Sequence, residues 1–334
     1  MPDDANELYF WKLFITDDII EQITYHTNLY AQQGGTSVER MNVFIPITYL
    51  MGLLKKQDIK DYWSMDKMIT TPFFRKMMSR DEYHNMQSFF HLCDNATYPK
   101  KGDADNDPRK KLGVLFSSLC EMFPRLWTPR QHISIDEGAI PFKGHVAFKC
   151  FNTSKPDKYH IKTFKVVDSN NNYCLHLDLY VENEYEEQLT VYGATYDRLM
   201  KLVKDYLFKS YFIYMDHWYS SPYLYYNLRT AETGATGTLK GFPVGFMKTN
   251  LFKKGDSCTV TYDDKMVSLR IHDRKVVTLM STVYSTKHVP TGRKHWQTKE
   301  ELINPEKITM YNKYMGGVDV NNQLLKYSLL WVFT

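Results

Sequence analysis

A chain of 334 residues with 43% apolar and 24% charged side chains has the balance of a folded globular protein and excludes extended disorder. Its net charge of +4 is too small to establish nucleic-acid binding from bulk charge alone. Five widely spaced cysteines (Cys93, Cys120, Cys150, Cys174 and Cys258) include no Cys-x-x-Cys pair, which argues against a disulfide framework or zinc finger and fits a reducing compartment.

The acidic N-terminus carries no apolar signal core. The longest apolar stretch, 41–54, contains Pro46 and is too short to span a bilayer. The expectation is a soluble cytosolic or nuclear protein with no membrane span. Residues 1–125 read as mainly helical. Asp17-Asp18 opens an amphipathic stretch, Ser37-Val38-Glu39-Arg40 leads into apolar 43–54, and Thr71-Pro72 is a further helix start. The polar segment from Asn95 to Arg109, with Pro99, Gly102 and Pro108, reads as a loop.

From Gln131 the rhythm changes to alternation. His132–Ile135, His160–Val167 and Tyr173–Val181 are expected strands, with Asp168-Ser169-Asn170-Asn171-Asn172 as the turn between the last two. Tyr196–Phe208 is expected as a helix that buries Leu199, Leu202, Val203 and Tyr206. Tyr211–Met215 follows as a strand, Ser221-Pro222 starts a helix to about Thr230, and Ala235–Leu239 is a fifth strand. The order β-β-β-α-β-α-β predicts an α/β fold with a ribonuclease H-like core, a mixed five-stranded sheet with helices. The expected organisation is a helical region over 1–125, the first part of the core over 126–240, a β-rich insertion over 241–295 and the last part of the core over 296–334. Asn304-Pro305-Glu306 starts the final helical region.

Three aspartates carry the chemistry. Asp136 (Ser-Ile-Asp-Glu-Gly) and Asp216 (Met-Asp-His-Trp-Tyr) end apolar strand-like runs, and Asp319 (Gly-Gly-Val-Asp) opens a helical stretch. Separate elements can bring three carboxylates to one point. Hard cations such as Mg²⁺ take oxygen ligands, and two such ions clamp the attacking and leaving oxygens of a phosphoryl transfer. DNA or RNA strand chemistry is therefore the leading reading. The chain has no Gly-x-x-x-x-Gly-Lys loop and no Gly-x-Ser-x-Gly elbow, which argues against a nucleotide or serine hydrolase. Six lysines and one acid, Asp157, lie between Lys143 and Lys165. With Arg109-Lys110-Lys111 they form the expected phosphate-contacting surface, of which Lys143, Lys155, Lys158 and Lys162 are the named candidates.

These motifs resemble the piggyBac family of DNA transposases and the host proteins derived from them. Ser134-Ile135-Asp136-Glu137-Gly138-Ala139-Ile140-Pro141-Phe142-Lys143-Gly144 is similar to the family's first catalytic motif. Lys155-Pro156-Asp157-Lys158-Tyr159-His160-Ile161-Lys162 is similar to the stretch that follows it, with His160 in place of the usual glycine. Met215-Asp216-His217-Trp218-Tyr219-Ser220-Ser221 resembles the second motif, and Tyr311-Asn312-Lys313-Tyr314-Met315-Gly316-Gly317-Val318-Asp319 the third. The resemblance implies cut-and-paste transposition by an Asp136, Asp216 and Asp319 triad holding two Mg²⁺ or Mn²⁺ ions. It also implies double-stranded DNA partners (transposon ends and a TTAA target), a homodimer joined through the helical region, and a nuclear location. Two departures bear on activity. Family members often carry a second aspartate three residues after the third ligand, where this chain has Asn322. The chain also ends 15 residues after Asp319, in Leu329-Leu330-Trp331-Val332-Phe333-Thr334, where the family continues with a basic segment, core helices and a cysteine-rich module. The alternative is thus a truncated, domesticated, catalytically inactive protein that binds DNA or a partner.

Overall fold

The computed structural model describes residues 6–33, 39–99, 103, 107–153, 155, 157–181, 190–240, 253, 256–263, 266–272 and 275–328. The expected helix start at Ser37-Val38, the Pro156 position and the apolar ending 329–334 lie outside them. The chain divides into two units. One comprises Met1–Trp127, Ala139–Lys162 and Gln323–Thr334, and the other comprises Thr128–Gly138 and Thr163–Asn322.

In the first unit the described elements up to Leu126 are helical: α1 (Glu7–Phe14), α2 (Asp17–Gln33), α3 (Met41–Leu53), α4 (Pro72–Met77), α5 (Arg80–Phe89) and α6 (Gly113–Leu126), with 3-10 turns at Ile59–Trp63 and Pro108–Leu112. Pro72 occupies the first turn of α4, where its missing N–H leaves no intrahelical bond unmade. The core gathers Ile23, Phe44, Ile47, Met51, Tyr62, Trp63, Phe74, Tyr83 and Met86. Each such side chain stabilises the unit by roughly 1.5–3 kcal/mol on burial. The polar atoms of its aromatic residues are met: Tyr62 Oη donates to Met51 O at 2.8 Å and Trp63 Nε1 to Met78 O at 2.9 Å.

The strands are β1 (His132–Pro141), β2 (Lys149–Phe151), β3 (Tyr159–Asp168), β4 (Cys174–Leu179), β5 (Phe212–Met215), β6 (Gly234–Leu239), β7 (Ser257–Asp263), β8 (Met266–His272), β9 (Val276–Ser281), β10 (His288–Lys294) and β11 (Glu301–Pro305). The helices between and after them are α7 (Ala194–Val203), α8 (Pro222–Thr230), α9 (Glu306–Tyr314) and α10 (Gly317–Ser328). The main sheet has the order β2-β3-β1-β5-β6-β9-β8-β7, and β4 also pairs with β3. β1, β5 and β6 run parallel. β5 joins β6 through α8, the crossover that a parallel pair requires. Its run Phe-Ile-Tyr-Met lies between two partners, and Ile213, Tyr214 and Met215 are buried. Ile133, Ile135, Phe164, Val166, Ile213, Met215, Leu199, Leu202, Leu224 and Leu228 form the core of this unit.

The structure departs from the sequence expectation in three respects. Among the described residues the mixed sheet has nine strands rather than five. The free edge of β6 pairs antiparallel with β9, and β8 and β7 follow. Of the β-rich stretch expected over 241–295, the described strands are β7, β8, β9 and β10. Its strands β7–β9 continue the main sheet, while β10 pairs only with β11 in a two-stranded sheet. The helix expected over 196–208 begins at Ala194, ends at Val203 and passes through a 3-10 turn at Lys204–Tyr206.

Candidate active site

Asp136 lies inside β1 rather than at its end, because β1 continues to Pro141. Its pairing with β5 stops just before Asp136, since the parallel register runs from His132↔Phe212 to Ile135↔Met215. Asp136 and Asp216 are therefore the next residues on adjacent parallel strands, a spacing of about 4.8 Å between strands. Both carboxylates are half-buried. The turn after β5 is tied to Asp216: Trp218 N donates to its Oδ1 at 2.8 Å, Ser220 Oγ donates to its backbone carbonyl at 2.8 Å, and His217 Nδ1 lies 3.5 Å from its Oδ2. Ser221 then caps α8 by accepting from Leu224 N at 3.2 Å.

Asp319 is an exposed residue in the first turn of α10. Two glycines let that helix lie against β1. A Cβ on Gly317 would stand 2.5 Å from Ser134 Oγ, and one on Gly138 would stand 3.0 Å from Asn322 Oδ1. A side chain at either position would force its neighbour to shift. Ser134, Asp136 and Gly138 share one face of β1, since successive side chains alternate. The helix thus passes from Ser134 to Gly138 with Asp319 between these two close approaches. Its start is also held from below. Tyr314, the last residue of α9, stacks on His132 with ring centroids 3.7 Å apart and an interplanar angle of 11°, and His132 Nδ1 is hydrogen-bonded to Tyr214 Oη at 2.9 Å.

The electrostatics report the same proximity. Burial raises the Asp136 pKa to about 7, against the 2.7 Å hydrogen bond it accepts from Glu137 N, and the charges of Asp216, Asp319 and Glu137 add to the rise. Tyr311 is pushed up to about 12, first by burial and then by Asp216, Asp136 and Asp319. Like charges within reach of one another disfavour joint ionisation. Among the described residues, no group of three or more His, Cys, Asp or Glu side chains stands close enough to hold a metal ion as it is. The donor chemistry nevertheless fits a hard divalent cation: three carboxylates and no thiolate, with the charges of Asp216, Asp319 and Glu137 acting on Asp136.

Two residues near these acids give weak signals in the sequence. Lys165, expected on the basic surface, is 2% exposed, and its Nζ donates to Asn321 Oδ1 and Asn322 Oδ1 at 2.8 Å each. A lysine set among Phe164, Val166 and Val167 is the only hint of burial. Tyr219 is buried beside the acids three residues after Asp216. The basic candidates all lie in the first unit. Lys110, Lys111, Lys143 and Lys158 are exposed, and Lys155 and Lys162 are half-buried. Arg109 is half-buried and ion-paired with Asp107 at 3.0 Å, while Lys111 lies 5.0 Å from the ring centroid of Tyr98. The acid of the lysine stretch, Asp157, is paired with Lys326 at 2.9 Å.

A family model described as Transposase IS4 matches residues 6–329. The chain belongs to this family and is a piggyBac-type member. The human PiggyBac transposable element-derived protein 3 is 24% identical over 328 residues, covering 92% of this chain and 54% of the relative. The human Chimeric ERCC6-PGBD3 protein is likewise 24% identical over 328 residues, 92% of this chain and 30% of that protein. This chain therefore spans about half, or less, of the curated relatives it matches. A piggyBac transposase solved by cryo-electron microscopy in a synaptic complex with hairpin DNA has the same fold, with a TM-score of 0.80 and 20% identity over 96% of this chain and 68% of that one. Among the described residues, no helix is long and apolar enough to cross a membrane.

Proposed function

We propose that this chain is the ribonuclease H-like core of a piggyBac-type transposase, cutting and joining DNA strands at transposon ends and TTAA targets in the nucleus. The strand order β4-β3-β1-β5-β6, with β1, β5 and β6 parallel, supports the ribonuclease H-like reading. The observation that carries the active-site reading is the register that ends at Ile135↔Met215, with Asp136 and Asp216 as the next residues on each strand. Asp136, Asp216 and, from α10, Asp319 would hold Mg²⁺ or Mn²⁺. When bound, the cation supplies Lewis-acid activation and charge neutralisation at the reacting phosphate. The chain's own residues do the positioning. The Asp216 turn fixes one carboxylate, Gly317 and Gly138 admit α10, and the His132–Tyr314 stack anchors the end of α9 just before the helix that carries Asp319. The exposed lysines of 143–162 and the Arg109–Lys111 turn contact the DNA backbone, and the helical region of 1–125 joins two copies.

The test is strand nicking of a duplex carrying TTAA-flanked transposon ends, with Mg²⁺ or Mn²⁺. Cation-dependent nicking abolished by Asp216→Asn supports the reading, and nicking that survives the substitution refutes it. One observation favours a second reading, a non-cutting DNA-binding derivative. Asn322 brings no charge to the face of α10 shared with Asp319, and its amide oxygen is occupied by Lys165. Cation-independent duplex binding without nicking would select that reading.

A further inference from the structure

Tyr219 carries a hydroxyl that the fold leaves unmet. It lies in the loop between β5 and α8, and only 3% of its surface is exposed. Its ring belongs to the core of the second unit and meets Phe164 edge-on, with centroids 6.4 Å apart at 85°. Its Oη has no hydrogen-bond partner among the described residues. A buried hydroxyl in that state bears its desolvation cost without compensation, and a phenylalanine would fill the same space without it. The surroundings of the hydroxyl are acidic. Burial opposes its ionisation most, Glu137, Asp136 and Asp216 oppose it further, and Arg198 acts the other way. The phenol is therefore a neutral donor within electrostatic reach of three carboxylates, none of which accepts its proton as the site stands.

We infer that the Tyr219 hydroxyl is the hydrogen-bond donor for an oxygen of the hydration shell of a divalent cation held by Asp136 and Asp216. This rests on the cation reading of the site given above. Mg²⁺ and similar ions keep several waters when bound by few carboxylates. Donors around those oxygens orient the first ligands, and their loss typically weakens metal binding about 10- to 100-fold. An orphan donor beside the acids is the form such a group takes before the cation arrives. Most buried hydroxyls are satisfied within the fold, and an exception calls for a partner such as an ion or its water.

The experiment uses the full 334-residue chain with Mn²⁺ as probe, comparing wild type, Tyr219→Phe and Asp216→Asn. Thermal melting without cation and Mn²⁺ affinity by electron paramagnetic resonance are the two readouts. The expected result is that Tyr219→Phe melts at the wild-type temperature or above it without cation, yet binds Mn²⁺ about 10-fold or more weakly. Unchanged Mn²⁺ affinity would overturn the inference. So would weaker binding accompanied by a lower cation-free melting temperature, which assigns the hydroxyl a structural role. A wild type that binds no Mn²⁺, or an Asp216→Asn variant that binds it equally well, would instead refute the cation site itself, and the tyrosine's role with it.

Discussion

The Lys165 ammonium, almost fully buried on β3, donates at 2.8 Å to the amide oxygen of Asn322 on α10. This bond ties the helix that carries Asp319 to the strand beside β1, and a second one from the same ammonium reaches Asn321 at 2.8 Å. Asn321 is fixed in turn, because its Nδ2 donates to Asn172 O at 3.1 Å. Burial pulls the Lys165 pKa down.

A carboxylate at position 322 would meet that charge directly. Asn322→Asp is expected to stabilise the chain by about 1 kcal/mol or more, because a hydrogen bond between charged groups is roughly twice as strong as a neutral one. The same aspartate in Lys165→Met would be a half-buried charge without its ammonium partner and would destabilise. A double-mutant cycle in urea measures the coupling, expected at about 1.5–3 kcal/mol. Additive effects would show that the ammonium does not hold the helix.

Asp136 should destabilise the cation-free chain. Its folded pKa is about 7, above the ordinary carboxylate value of 3.8. The folded state therefore binds more protons than the unfolded state between those values, and stability falls as pH rises through that window. Asp136→Asn is expected to melt higher than wild type at pH 8, with the difference vanishing near pH 4. Melting curves of both proteins in a chelator check this. A variant that melts lower than wild type at pH 8 would contradict it.

Much of this site was legible in the sequence, but not its geometry. The three motifs and the strand-helix alternation around them follow from local patterns. The length of β1 does not. Alternation marks a strand from His132, but only its pairing partners determine that it continues past Asp136 to Pro141. The nine-stranded sheet depends on Thr236 pairing with Ser281, a pairing across 45 positions that no local period encodes. Lys165 belongs to a run of lysines that reads as solvated, yet β3 is buried from Thr163 to Asp168. The unmet hydroxyl of Tyr219 exists only in three dimensions.

Lys307 offers a second pH test, away from the acids. It is fully buried on α9, its Nζ donates to Val267 O at 3.0 Å, and burial lowers its pKa to about 8. The unfolded chain holds this proton up to the ordinary value of 10.5, so the penalty is fully present below pH 8 and is relieved as pH rises from 8 to 10.5. Lys307→Met is expected to stabilise the chain at pH 7 by on the order of 2 kcal/mol, after allowing for the lost hydrogen bond. The gain should shrink by pH 10. Urea denaturation at the two pH values reads it, and a gain independent of pH would contradict this expectation.

The basic surface makes a salt-dependent prediction. Neutralising Lys143, Lys155, Lys158 and Lys162 together should reduce the slope of log K against log salt for duplex binding by about 0.9 for each phosphate that is no longer neutralised. Lys165→Met should leave that slope unchanged, because its ammonium is buried. Fluorescence anisotropy at several salt concentrations measures both. An unchanged slope in the fourfold variant would remove these lysines from the DNA-binding surface.

Under the proposed function, Asp136, Asp216 and Asp319 serve one shared divalent-cation site. Mn²⁺ titration of the full chain, with Asp136→Asn, Asp216→Asn and Asp319→Asn measured beside wild type, tests it most directly. The predicted result is that wild type binds Mn²⁺ and that each substitution weakens binding, because each removes one carboxylate from a shared site. A wild type that binds no Mn²⁺, or an Asp319→Asn variant that binds as tightly as wild type, would contradict it.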